Sequence, residues 1–138
     1  MGFILNIESS STNCSISISK NGKLIDYIEK NDPKYRQSAI MHQNILDLIK
    51  KNNLNINDFA AVAISKGPGS YTGLRVGLSS AKGLCYALDI PLISINTLEI
   101  IAAGLRSEVK GNIVSLVHAR EDEFYYIIYN MSCLICDL

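Results

Sequence analysis

The sequence predicts an α/β domain on a mixed five-stranded sheet, with elements in the order βββαβαβα and the opening strands of a second unit behind it. Three observations carry this prediction. Residues 3–29 read as short strands around an Asn-Gly turn, residues 35–51 and 73–88 follow helical patterns, and apolar runs at 59–64 and 91–95 alternate with those helices. At 138 residues, 48% hydrophobic and 19% charged, the chain carries enough apolar material for a packed core, and a disordered chain is excluded.

Phe3-Ile4-Leu5-Asn6-Ile7 reads as a largely buried strand. After the polar residues 8–13, Cys14, Ile16 and Ile18 alternate with serines and so share one face of a second strand. Asn21-Gly22 marks a hairpin, because both residues tolerate positive φ, and residues 24–29 form the returning strand. Residues 35–51 follow as a helix with Met41, Ile45 and Leu48 on one stripe, Ile49 beside it, and Lys50 and Lys51 at the end that favours cations. Residues 59–64 are a strand and residues 73–88 a second helix, poor in bulk: Gly73, Gly77, Ser79, Ser80, Ala81 and Gly83. Each glycine weakens an isolated helix by roughly 1 kcal/mol, so close packing must hold it. Residues 91–95 are the fifth strand, and Thr97 caps a third helix reaching residue 106.

Strands joined by hairpins run antiparallel, and strands joined through helices run parallel by right-handed crossovers. Together they make a ribonuclease-H-like architecture over residues 1–108. Gly111 starts a new unit, with strands at 112–118 and 124–130 around the polar turn 119–123. Two strands alone cannot bury both faces. Residues 109–138 therefore read as an incomplete second domain: either the chain is truncated, or this hairpin docks on the first domain or on a partner.

Thirteen Lys and Arg balance thirteen Asp and Glu. A protein that grips nucleic acid alone usually shows a basic excess, so RNA contact is expected to be local or indirect. Cys14 and Cys85 look like buried thiols, while Cys133 and Cys136 form a lone Cys-x-x-Cys without a second pair or nearby His, so no metal is expected. With no basic leader and no membrane-length apolar run, a cytoplasmic protein is expected.

The segment Gly67-Pro68-Gly69-Ser70-Tyr71-Thr72-Gly73-Leu74-Arg75-Val76-Gly77 is the most informative in the chain. A strand, a glycine loop and a helix N-terminus meet there, which suits either an anion cradle or a tight turn. No Lys follows Gly73 as a Walker loop requires, and Thr72 stands where the dinucleotide fingerprint needs Gly. Pro68 and Thr72 flank Gly69-Ser70-Tyr71, so the nucleophile elbow fails too, and no catalytic residue is assigned.

This segment, continuing into Ala81-Lys82-Gly83-Leu84, resembles the TsaB (YeaZ) family of the actin-like/Hsp70/sugar-kinase ATPase-fold superfamily. The opening residues 4–10 with Cys14-Ser15-Ile16-Ser17-Ile18, and Ala119-Arg120 followed by Glu123 and Tyr125, extend the resemblance to residues 3–129. The resemblance implies a non-catalytic accessory subunit for forming N6-threonylcarbamoyladenosine on tRNA, next to the anticodon. It implies pairing with the catalytic paralogue TsaD, contact with the ATPase TsaE through the complex, indirect contact with tRNA, and a homodimer when alone. No cofactor is required, though ADP or ATP at the partner interface fits the superfamily, near Gly67, Pro68, Gly69, Ser70, Thr72, Gly73 and Arg75. Met41, Ile45, Val76, Gly77, Gly83 and Tyr86 are the expected partner surface.

Several residues depart from the family pattern. Where the paralogue holds a metal through His-x-x-x-His, this chain reads Ser38-Ala39-Ile40-Met41-His42, with one imidazole. Glu8 stands for the usual Asp, His118 precedes Ala119-Arg120 in place of Asp, and residues 131–138 do not resemble the family's continuation. A reading from another class keeps the fold but makes the chain a self-sufficient nucleotide-dependent phosphotransferase or acyltransferase, with Glu8, Thr12 and the 67–73 loop holding phosphates. A metallopeptidase lacks the paired ligands.

Overall fold

A computed structural model describes residues 2–31, 37–106 and 108–130. Seven strands, β1 Phe3–Glu8, β2 Asn13–Lys20, β3 Lys23–Asn31, β4 Phe59–Ser65, β5 Leu92–Ile95, β6 Asn112–His118 and β7 Phe124–Asn130, alternate with α1 Gln37–Lys51, α2 Tyr71–Leu88 and α3 Thr97–Gly104. The first five strands form one sheet in the order β3-β2-β1-β4-β5. Its β1–β2 and β2–β3 pairs are antiparallel, and β1–β4 and β4–β5 are parallel. This is the mixed, ribonuclease-H-like sheet that the pattern predicts.

The register explains the core. Leu5 lies between Ile18 and Val62, and Ile7 between Ile16 and Ile64, so their side chains stack on one face. Met41, Ile45, Leu48 and Ile49 of α1 and Ala81 and Cys85 of α2 cover that face. Each fully buried aliphatic side chain there contributes roughly 1.5–3 kcal/mol. The alternating serines fall on the other face, where the Asn6 amide donates to the Ser17 carbonyl and to the Ser17 and Ser19 hydroxyls at 3.3, 3.2 and 3.1 Å.

Met41 and Ile45, expected on a partner surface, are instead 0% and 3% exposed in the chain's own core. The stripe that marks them is the stripe that packs on the sheet. Helix α2 starts at Tyr71 rather than Gly73, because the Ser70 hydroxyl accepts the Gly73 N–H at 3.2 Å and opens the helix two residues earlier. Asn96, not Thr97, caps α3: its side chain accepts the Leu98 N–H at 2.9 Å, and Thr97 is buried as the first helical residue. The helix closes at Gly104 rather than at 106. Tyr35, the expected start of the first helix, and Cys133 and Cys136 lie outside the described residues.

Helix α2 buries Gly73, Gly77, Ala81 and Cys85, one small residue per turn, against the sheet. A Cβ on Gly77 would fall inside contact distance of the Ser9 hydroxyl and within 3.2 Å of Ile64 Cδ1. The small residues therefore bring α2 down onto its own sheet. Strands β6 and β7 form a separate two-stranded sheet that turns Ile113 and Ser115 inward and contacts α3.

Candidate functional site

Open α/β sheets bind ligands where the C-terminal ends of parallel strands feed their loops. Here β1, β4 and β5 end together, at Glu8, Ser65 and Ile95. The Glu8 carboxylate accepts the Ser10 N–H at 2.7 Å and the Ser65 hydroxyl at 2.9 Å. The glycine loop is fastened at both ends. The Lys66 N–H donates to the Ile95 carbonyl at 2.8 Å, the Thr97 N–H to the Gly67 carbonyl at 2.9 Å, and the Ser70 N–H to the Ser10 carbonyl at 2.6 Å.

Close approach fixes two of the loop's residue choices. Gly67 has φ +102°, a conformation that L side chains rarely adopt. At Gly69 a Cβ would lie inside contact distance of the Ser10 carbonyl, so the loop sits flush on the β1–β2 turn. Pro68 is half-buried between them. Thr72 and Arg75 are exposed, and Arg75 reaches back one helical turn, its Nη1 donating to the Tyr71 hydroxyl at 2.8 Å with the guanidinium 5.3 Å from that ring.

Beside Gly69 lies a cavity of about 360 Å³ lined by His118, Ala119, Arg120, Glu123 and Tyr125. The separate glycine and Ala-Arg segments of the sequence thus meet in space. His118 places Nε2 2.8 Å from the Glu121 carbonyl and its ring edge-on to Phe124, so it shapes the β6–β7 turn. Arg120 Nε is 3.6 Å from Glu123 Oε2, with both side chains largely exposed. A second cavity, of about 240 Å³, lies on the serine face near Glu8, Ser15, Ser17 and Ile100.

Of the expected partner residues, Gly77 is buried and Val76 half-buried, while Gly83 is exposed with nothing within 4 Å of its Cβ position and Tyr86 is 92% exposed. His42 stands 3.3 Å from the Ser80 hydroxyl across the two helices. Among the described residues no three His, Cys, Asp or Glu side chains gather as a metal set. Burial, and less strongly the Glu8 carboxylate, push the Cys14 thiol up, which keeps it protonated. No described helix is long and apolar enough to cross a membrane. Sequence reasoning missed the Glu8–Ser65 bond and the seat of Gly77 on Ser9. Both join residues more than fifty positions apart, and no local pattern announces them.

The sheet order and the joint at its strand ends define an α/β protein of the actin-like, ribonuclease-H-like class. Its fold matches YeaZ from Pseudomonas aeruginosa with a TM-score of 0.84 at 24% identity, over 94% of this chain and 60% of that one. A sequence model of the family described as TsaD, tRNA N6-adenosine threonylcarbamoyltransferase, matches residues 35–133. The tRNA threonylcarbamoyladenosine biosynthesis protein TsaB of Buchnera aphidicola from Acyrthosiphon pisum is 32% identical over 129 residues, 91% of this chain and 57% of the relative. TsaB of Bacillus subtilis is 32% identical over 130 residues, covering 91% and 54%. The chain belongs to this family, on its TsaB (YeaZ) branch. It spans little more than half the length of these curated relatives.

Proposed function

We propose that the chain acts in forming N6-threonylcarbamoyladenosine on tRNA, as a non-catalytic subunit that docks on the paralogue TsaD. The observation that carries this reading is the two-faced helix α2. Its inner face of small residues sits on the sheet, which leaves Tyr71, Leu78 and Tyr86 exposed at 72%, 39% and 92%, together with Arg75, Lys82 and Gly83. Tyr and Arg are enriched at interface hot spots, Tyr because it adds large contact area with two rotors and a polar tip, Arg because its planar fork supplies several donors. Gly83, with open space above it, admits a partner helix close to the α2 backbone. Leu46 of the adjacent α1, 50% exposed, adds to the apolar area available to that partner.

The joint supports the non-catalytic part of the reading. The Ser70 N–H and one oxygen of Glu8 are already engaged inside the chain, where a phosphate-handling loop keeps such groups free. We assign any ADP or ATP held with the partner to the cavity beside Gly69, where Arg120 is the cation and Glu123 opposes it. TsaE and tRNA are reached through the complex, consistent with a net charge of zero.

The test is titration calorimetry of TsaD from the same source against wild-type chain, Tyr86→Ala and Gly83→Leu. Each substitution is expected to weaken binding by at least tenfold, in the range of a hot-spot loss. Unchanged affinity in both would overturn the docking surface.

A further inference from the structure

Helix α2 carries two cations, Arg75 and Lys82, and no acid over its 18 residues. The two lie two turns apart, about 10.5 Å along the axis. At about 100° per residue, Tyr71, Arg75, Leu78, Lys82 and Tyr86 share an arc of about 80° and form one outward row. Neither cation has an acid three or four positions away on its helix, and among the described residues neither meets a carboxylate. Elsewhere cations are paired: Lys51 reaches Asp26 at 2.8 Å and Arg120 reaches Glu123 at 3.6 Å. The two helices that cover the sheet hold Lys50, Lys51, Arg75 and Lys82 against Asp47 alone, and Asp47 accepts from Gln43 of its own helix at 2.7 Å. In a chain of zero net charge this layer is therefore positive. The bond from Arg75 to the Tyr71 hydroxyl steadies the guanidinium and leaves the rest of its donor fork free.

We propose that the partner surface meeting α2 is an acidic helix, with carboxylates two turns apart facing Arg75 and Lys82. This rests on the reading of α2 as the surface that docks on TsaD, and it adds what that partner must carry. Gly83 lets a helix approach closely, and packing at about 20° keeps its residues in register over two turns. Arg75 grips its carboxylate through the planar fork, while Lys82 acts as a point charge. Tyr71, Leu78 and Tyr86, on the same row, supply the apolar contact, so the charges set encounter rate and register more than affinity. An RNA strand fits the row less well, because two cations neutralise only two phosphates, too few to hold RNA alone at physiological salt.

The test is the association and dissociation kinetics of the full 138-residue chain on immobilised TsaD from the same source. Wild-type kon should fall at least about tenfold between about 0.1 and about 1 M salt, as the screening length shrinks from about 10 to about 3 Å. At the lower salt Lys82→Glu should reduce kon at least about tenfold and remove most of that salt dependence. Lys23→Glu on β3 makes the same change in net charge and should leave kon unchanged. Arg75→Lys keeps the charge but loses the fork, so koff should rise about tenfold with kon within about twofold of wild type. It decides the matter should Lys82→Glu lose its far-UV circular dichroism. Tyr86→Ala should weaken binding and keep the full salt dependence. A kon that ignores salt, or that Lys82→Glu and Lys23→Glu change alike, overturns the acidic partner, while a loss in Tyr86→Ala still upholds the docking surface. Unchanged affinity in both Tyr86→Ala and Gly83→Leu overturns the docking surface and this proposal with it. An unmodified tRNA transcript is the last probe: binding to the chain alone that Lys82→Glu abolishes, with TsaD kinetics intact, would assign the row to RNA and overturn the proposal.

Discussion

Substitution of the α2 glycines separates close packing from mere helical permissiveness. Alanine in a helix interior is favoured over glycine by about 1 kcal/mol. At Gly83, where a Cβ meets nothing within 4 Å, that gain should appear nearly whole. At Gly77 the same gain is opposed, because the Cβ would overlap the Ser9 hydroxyl and press on Ser9 Cβ and Ile64 Cδ1, each 3.2 Å away. Overpacking of this kind costs about 1–3 kcal/mol, so Gly77→Ala should lose about 1 kcal/mol net. Ser9 is fully buried and its hydroxyl has no hydrogen-bond partner, so Ser9→Ala removes the overlapping atom without stranding anything. In that background Gly77→Ala should become neutral or stabilising, a coupling of about 1 kcal/mol. The chain has no Trp, so the assay is far-UV circular dichroism in urea and on heating, with about 3–5 °C expected per kcal/mol at this size. A Gly77→Ala chain as stabilised as Gly83→Ala would refute the packing argument, and so would a cost that ignores residue 9.

Glu8→Ala should cost about 1–3 kcal/mol, because it removes the acceptor of a Ser65 hydroxyl only 3% exposed, while Glu8→Gln keeps an acceptor and should lose less; urea midpoints of the two variants check this. Asp26 ties β3 to the end of α1, accepting from Lys51 at 2.8 Å and Asn52 at 2.9 Å, and those hydrogen bonds hold its carboxyl below the usual range. A depressed folded pKa stabilises above the unfolded value, about 3.9, and that contribution is lost as pH falls through the folded value. Asp26→Asn should therefore be less stable than wild type near neutral pH and converge with it in acid. Thermal melts across that range measure the difference, and a gap that persists unchanged at low pH would contradict the assignment.

What was legible in the sequence follows from the range of the forces involved. The alternation of Cys14, Ile16 and Ile18 with serines, the Asn21-Gly22 turn and the stripe of α1 are local patterns, and each appears in the fold where it was read. Caps are local too but ambiguous. Asn96 and Thr97 are both good caps, and only the burial of Thr97 beneath the joint selects Asn96. The faces of the helices were the harder problem. Periodicity shows that Met41 and Ile45 share a face, but not whether a sheet or a partner lies opposite. The same holds for Gly77 and Gly83, six residues apart on one helix, the first seated on Ser9 and the second in open space. Distinguishing them requires the long-range pairing of β1 with β4, which brings Ser9 beneath α2.

The glycine joint connects these features to the proposed role through positioning. Seated on Ser10 and Ser9, the loop and the start of α2 have little room to move relative to β1 and β4. The outward row of Tyr71, Arg75, Lys82 and Tyr86 is therefore presented in a fixed orientation, and a partner meeting it need not order a mobile helix, a saving that appears as affinity. The same closure works against phosphate chemistry at the loop. For the Ser70 N–H to reach a phosphate it must leave the Ser10 carbonyl, and that carbonyl would then lack a partner beneath Gly69. A carboxylate that already accepts from Ser10 and Ser65 likewise has one oxygen fewer for a metal-bound water. A residue pattern that first suggests a cradle for anions thus builds a rigid seat for a helix, and the proposed docking rests on the far side of that helix.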